Sequence, residues 1–404
     1  MTILQSKKYF LLFLIFSFLL NFLPSSAENI KEPNLKSPVL NPLDLDFNGS
    51  INAIVVDEMT GIVYVGGDFK SIGGFERNNL AAIGIDGTLL DWDPNVTGIT
   101  ATGINATGAK INALAIKGST IYVGGDFTKI GGIERNNLAA IGTNGTLKHW
   151  NPNTDGEVNA LAIKGSTIYV GGQFAKVGEI ERNNLAAIGT NGTLKHWNPN
   201  TDGEVNALAI KGSTIYVGGG FWGVGGGGFT KIGETGRNNL AAIGTDGTLQ
   251  SWNPGIVGSV YNIVIKGSTI YIGGDFYIVG NFSEGNLAAI GTDGTFLDWN
   301  PGFGASVWAL ATKGSTIYVG GNFTEVGGIE RNLLAAIGTE GTIKNWNPNI
   351  NSDLYYGHGY DYPPPYINTI AISGSTIYVG GWFASVGNEP RSNFASFSIP
   401  DGSQ

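Results

Sequence analysis

The chain has 404 residues, of which 64 are Gly, none is Cys and only 14% are charged. Ordinary soluble domains carry about 7% Gly and about 25% charged residues, so a disordered polyelectrolyte and a disulfide-stapled miniprotein are both excluded. With 23 Lys and Arg against 32 Asp and Glu the net charge is −9, which repels phosphate backbones and excludes a nucleic-acid partner.

In chain order, Lys7 and Lys8 precede an apolar run from Tyr9 to Leu23, and Ser25, Ser26 and Ala27 offer the small residues of a cleavage site. This predicts a signal peptide over residues 1–27, removed after Ala27, and a secreted or cell-surface protein. The run is shorter than the ~20 residues of a bilayer span, and no later stretch could cross a membrane. Lys7 and Lys8 are the only charged side chains in residues 1–27, so cleavage takes the net charge from −9 to −11. An exported chain without cysteine relies on its core alone.

Beyond residue 50 the sequence repeats. A Tyr followed by Val or Ile and Gly-Gly recurs at Tyr64, Tyr122, Tyr169, Tyr216, Tyr271, Tyr318 and Tyr378, giving seven copies. Within each copy the short β-branched and aromatic runs show no helical period, so four strands are expected. In the third copy they are Asn159–Ile163, Thr167–Gly172, Asn184–Gly189 and Gly192–Trp197. Lys-Gly-Ser-Thr and Asn-Gly or Asp-Gly are hairpin signals between them. Four antiparallel strands per copy describe a blade, so residues 28–404 are expected to form one all-β, seven-bladed β-propeller, and the protein to be a monomer. The seventh copy stops at Asp401 and Gly402 before a fourth strand, whereas Asn34–Pro42 precedes the first copy as Gly-Thr-Leu-x-x-Trp-Asn-Pro precedes the others. The N-terminal segment is therefore expected to close the ring as the outer strand of the last blade, a velcro closure that removes two open edges.

The run Gly124–Gly132, the segment Arg135–Ala140 and the run Asn144–Pro152 resemble the delta-sixty repeat. That repeat belongs to exported bacterial propeller proteins whose domain has no assigned function, and similar repeats occur in fungal cortical polarity proteins. The resemblance implies the fold and carries over no catalytic residue.

Strand direction separates the loops into two faces. The intervals Trp92 to Tyr122 (30 residues) and Trp346 to Tyr378 (32) exceed the usual 19, and Tyr216 to Trp252 (36) exceeds the usual 28. All three insertions fall on one face, and repeat proteins place function on the elaborated face. The last insertion holds Tyr355, Tyr356, His358, Tyr360, Tyr362 and Tyr366, and the middle one holds Trp222. Tyrosine-rich loops suit protein or glycan partners because the rings give amphipathic area at low entropy cost. The alternative is that the rings fold back over the blade. Gly223, Gly225 and Gly228 match a dinucleotide fingerprint in spacing, but the strand–helix context is missing.

Recurrent Arg77, Arg135, Arg182, Arg237, Arg331 and Arg391 suggest ties between blades through carboxylates such as Asp68, Asp126 and Asp275. Trp92, Trp150, Trp197, Trp252, Trp299 and Trp346 are expected to pack between blades. His149 and His196 duplicate one outer position and do not suggest a metal. For calcium, Asp44, Asp46 and Asn48 open a loop of alternating oxygens, although Val55 stands where an EF-hand has its glutamate. The first strands offer Asn52, Asn112, Asn159, Asn206, Asn262 and Asn368 to a central channel rather than the carboxylates or histidines of a propeller lactonase or lyase. A hydrolase or lyase would have to use Asp353, His358 and Asp361, with no cysteine nucleophile and no Gly-x-Ser-x-Gly elbow. The expectation is a non-catalytic binding scaffold, with a purely structural envelope protein as a further alternative.

Overall fold

The computed structural model of the protein describes residues 38–41, 45–98, 108–220, 228–280, 282–283, 285–351 and 364–399. Among them every regular element is a strand, so the fold is all-β. No helix among these residues is long and apolar enough to cross a membrane.

The second unit shows how sequence becomes sheet. Its strands are Lys110–Lys117, Thr120–Asp126 and Leu138–Gly142, with Thr120–Asp126 in the middle. Tyr122 faces Ala115 on one side and Ala140 on the other. Gly118, at φ 53°, sits in the two-residue turn between the first two strands, where a left-handed residue matches the twist of a hairpin. The same three-stranded order recurs in all seven units. Neighbouring units place their first strands side by side, and Tyr366–Ser373 of the seventh lies beside Ser50–Val56 of the first. Val39 and Leu40 pair antiparallel with Ser398 and Phe397, which makes the last sheet four-stranded.

The hydrophobic core lies between the sheets. Tyr122, Leu138, Ala140 and Trp150 of unit two pack on Val158, Ile168, Val170 and Phe174 of unit three. Gly124 is required by this approach, since a Cβ there would meet Val158 Cγ1 at 2.5 Å. The six repeated tryptophans, Trp92 to Trp346, span the joints. The Trp150 ring stands edge-on to Tyr122 at 5.1 Å, and its Nε1 donates to the Gly189 carbonyl of the next unit at 2.9 Å. Trp92, Trp197, Trp252 and Trp299 make the equivalent bond. Trp346 is fully buried against Tyr318 and Phe397, but its Nε1 has no partner among the described residues.

Two expectations are corrected and one element is new. The fourth run of each unit is not a full strand: Leu147 bridges Ile141 alone, because the chain leaves the ladder for Trp150 to reach the next unit. A small hairpin, absent from the sequence reading, joins the second and third strands: Lys129–Ile130 pairs with Ile133–Glu134 around Gly131 and Gly132, both at positive φ. Finally, the arginines do not use carboxylates of neighbouring units. Arg135 donates from Nη1 to the Glu134 carbonyl and from Nη2 to the Lys148 carbonyl of its own unit, and the other five follow the same plan, the last with only the first of these bonds. Among the described residues only Arg77 also comes within 4.0 Å of a carboxylate, that of Asp93.

Candidate ligand-binding site

Every first strand carries a bulge at the same place. In unit two Ile111 pairs with Gly125 and Ala113 with Gly124, leaving Asn112 as the extra residue. Gly125 is bound to be glycine, because a Cβ would lie 2.2 Å from the Lys110 carbonyl. A bulged residue is released from the ladder and its side chain is re-aimed. Here it lines a cavity shared by the seven units.

The bulge residues are Asn52, Asn112, Asn159, Asn206, Tyr261, Trp308 and Asn368. This corrects the sequence reading in the fifth unit. Val260 pairs with Gly274 and Asn262 with Gly273, so Tyr261 takes the place expected of Asn262. The asparagines bond head to tail. Asn112 Nδ2 donates to Asn159 Oδ1 at 3.1 Å, Asn159 Nδ2 to Asn206 Oδ1 at 3.3 Å, and Asn368 Nδ2 to Asn52 Oδ1 at 2.9 Å.

Above this ring, at the starts of the first strands, stand Ser50, Lys110, Glu157, Glu204 and Tyr366, around a cavity of about 600 Å3. Asn112 and Asn159 donate to Glu157 Oε1 and Glu204 Oε1 at 2.5 and 2.7 Å, and Lys110 Nζ is 2.7 Å from Glu157. Burial, then the charge of Glu157, pushes the Glu204 carboxyl above its ordinary pKa. Burial likewise raises the phenols of Tyr261 and Tyr366. The Trp308 ring is nearly buried and meets Tyr366 edge-on at 4.8 Å. The cavity therefore has two unlike walls, aromatic along units five to seven and amide and carboxylate along units one to four. At the opposite ends of the first strands, Lys117, Lys164, Lys211, Lys266 and Lys313 each donate to a turn glycine carbonyl of the following unit.

Of the residues proposed from sequence, Tyr366 lines this cavity. Trp222, Tyr355, Tyr356, His358, Tyr360 and Tyr362 lie outside the described residues, as do Asp353, Asp361 and Asp44. The Asp46 carbonyl accepts the Gly73 amide, and Asn48 Oδ1 accepts the amides of Lys70 and Ser71 at 2.8 and 2.9 Å. Both lone pairs of Asn48 Oδ1 thus serve a turn, as Asp155 Oδ1 does with Ala175 and Lys176. No group of three or more His, Asp or Glu that could hold a metal occurs among the described residues. Glu157, Glu204, Tyr261 and Trp308 were missed by sequence reasoning. Their signals were the repeated Gly-Glu-Val-Asn at 156–159 and 203–206 and the loss of Asn from Val307-Trp308-Ala309.

Residues 120–147 match a family described as a domain of unknown function (DUF5122) beta-propeller. The match supports a β-propeller family of unknown function. No curated protein matches the chain. Among solved structures, the crystal structure of the computationally designed Ika8 protein is 12% identical, with 88% of this chain and 98% of that chain covered and a TM-score of 0.49.

Proposed function

We propose that the chain is an exported, non-catalytic scaffold of delta-sixty repeats, a seven-bladed β-propeller closed by its N-terminal strand, that binds a protein or glycan partner through its elaborated face. The pairing of Val39 and Leu40 with the last sheet and the lateral contact between the first and seventh units support the closed ring. Lys7, Lys8, the apolar run to Leu23 and Ala27 support export.

One observation carries the binding reading. The two-walled cavity opens where the insertions begin and end: Tyr366 in its wall is the last residue of the insertion at 353–366, and Asn206 in its ring donates to the carbonyl of Gly220, which precedes the insertion at 221–228. A cavity and three insertions on one face concentrate ligand contact there. The test compares the mature protein with a variant in which Tyr355, Tyr356, Tyr360 and Tyr362 are serine, on a glycan array and in a surface-protein pull-down. Selective binding that the variant loses is the expected result. Undiminished binding by the variant, or His358-dependent turnover of lactones, glycosides or esters, refutes the reading.

A further inference from the structure

We propose that the cavity takes one neutral pyranose ring, the terminal residue of a glycan, held between Tyr261, Trp308 and Tyr366 on one side and Asn112, Asn159 and Glu204 on the other. This deepens the glycan form of the binding reading above and rests on it.

The argument is one of matching chemistry. A pyranose has an apolar C–H face and a rim of hydroxyls, each of which both donates and accepts. Aromatic side chains offer a broad amphipathic surface to the first, and amide and carboxyl oxygens, whose second lone pairs the head-to-tail bonds leave over, accept from the hydroxyls of the second. The structure sets these two kinds of side chain against each other across about 600 Å3, within the range of small-ligand sites. The arrangement arises from departures at single bulge positions: units five and six replace the repeated Asn by Tyr261 and Trp308, and Tyr366 is placed against Trp308 at 4.8 Å.

Charge disfavours an anion. An anion such as phosphate would meet Glu157, Glu204 and Asp68 in the same cavity. An organic cation, which also favours aromatic walls, would be drawn by Asp68 but would meet the Lys110 ammonium, which already pairs with Glu157 at 2.7 Å, so titration decides between it and a neutral ring. Burial, and then Glu157, raises the pKa of the Glu204 carboxyl, which lessens its pull on a cation. A neutral ligand suffers no such repulsion. Because first strands wall the cavity all round, a glycan reaches it by its end and not by an internal residue.

The test titrates the mature protein with methyl glucopyranoside, methyl galactopyranoside and methyl mannopyranoside, and with tetramethylammonium and inorganic phosphate, by saturation-transfer NMR and calorimetry. At least one glycoside should bind saturably, and the two ions should not. Tyr261→Asn and Trp308→Asn install the residue that five other units carry at this place, so both variants keep the fold while each weakens glycoside binding roughly tenfold or more, the scale of one well-packed contact. Binding of tetramethylammonium or phosphate alone, or glycoside binding that both variants retain, overturns the proposal. The four-tyrosine serine variant, run on the array in parallel, separates the two readings. If it loses array binding while Tyr261→Asn keeps it, the sugar cavity falls and the face reading stands; if both keep it, both fall.

Discussion

The sharpest test of how the units are joined compares Trp150→Phe with Trp346→Phe. Both indoles are buried, Trp150 at 6% exposure and Trp346 at 0%, and both stand edge-on to the tyrosine of their own unit, at 5.1 and 5.2 Å. Shrinking either to phenyl loses similar apolar volume, on the order of 1 kcal/mol in transfer and cavity cost. The polar atoms then separate them. Trp150 Nε1 donates to the Gly189 carbonyl at 2.9 Å, so its loss removes a hydrogen bond worth about 1 kcal/mol, while the carbonyl keeps the Gly192 amide at 2.8 Å. Trp346 Nε1 is buried without a partner among the described residues, so its removal relieves a desolvation penalty of about 1–3 kcal/mol. Trp150→Phe should therefore destabilise by about 2 kcal/mol, and Trp346→Phe should be neutral or stabilising by up to about 2 kcal/mol. Guanidinium unfolding of both variants, at unchanged m, reads the difference as a shift in midpoint. Equal losses, or a larger loss at Trp346, would refute the account of the joints.

A chain beginning at Leu43 lacks Val39, Leu40 and the Asn41 side chain that bonds Ser396 and Ser398, so it should aggregate or melt well below one beginning at Glu28. Equal melting temperatures would sink the closure. Asn137 holds φ 62° and bonds the Phe127 amide and the Thr154 carbonyl, so Asn137→Ala should cost about 2–4 kcal/mol in thermal or denaturant unfolding, and Asn137→Gly less because glycine tolerates the left-handed backbone. For Glu204, a pKa raised on folding means that the folded chain binds more protons, so stability falls as pH rises from about 4.3 through the folded value. Glu204→Gln should therefore be more stable than the wild type at pH 7, with the gap closing as pH falls to about 4; a gap independent of pH argues against the effect.

Much of the fold is legible because the units are near copies. Tyr-Val-Gly-Gly and Leu-Ala-Ala-Ile are apolar, β-branched stretches with turn residues at each end, and the structure makes them the middle and third strands. The tryptophans were legible as joint residues for a similar reason: a large apolar group at a fixed place in every unit needs a shared environment. What alternation cannot reveal is register. The bulge inserts one residue without changing the pattern of apolar positions, so matching Asn262 to Asn52 by residue type fails where pairing puts Tyr261. Glu157 and Glu204 were hidden by their place beside turn-like Thr-Asp-Gly, and only the assembled first strands bring them together around one cavity. The arginines misled because a repeated cation suggests a repeated anion, whereas backbone carbonyls of the same unit already accept its protons.

The bulge also separates two kinds of change. A residue outside the ladder contributes little to the pairing of its sheet, so its identity can vary while the glycines, tyrosine and tryptophan around it stay fixed. The seven positions thus act as letters written on a constant frame, five reading Asn, one Tyr and one Trp. Ligand preference on such a frame is altered by single exchanges at these letters, one unit at a time, and each leaves the tryptophan joints between units in place.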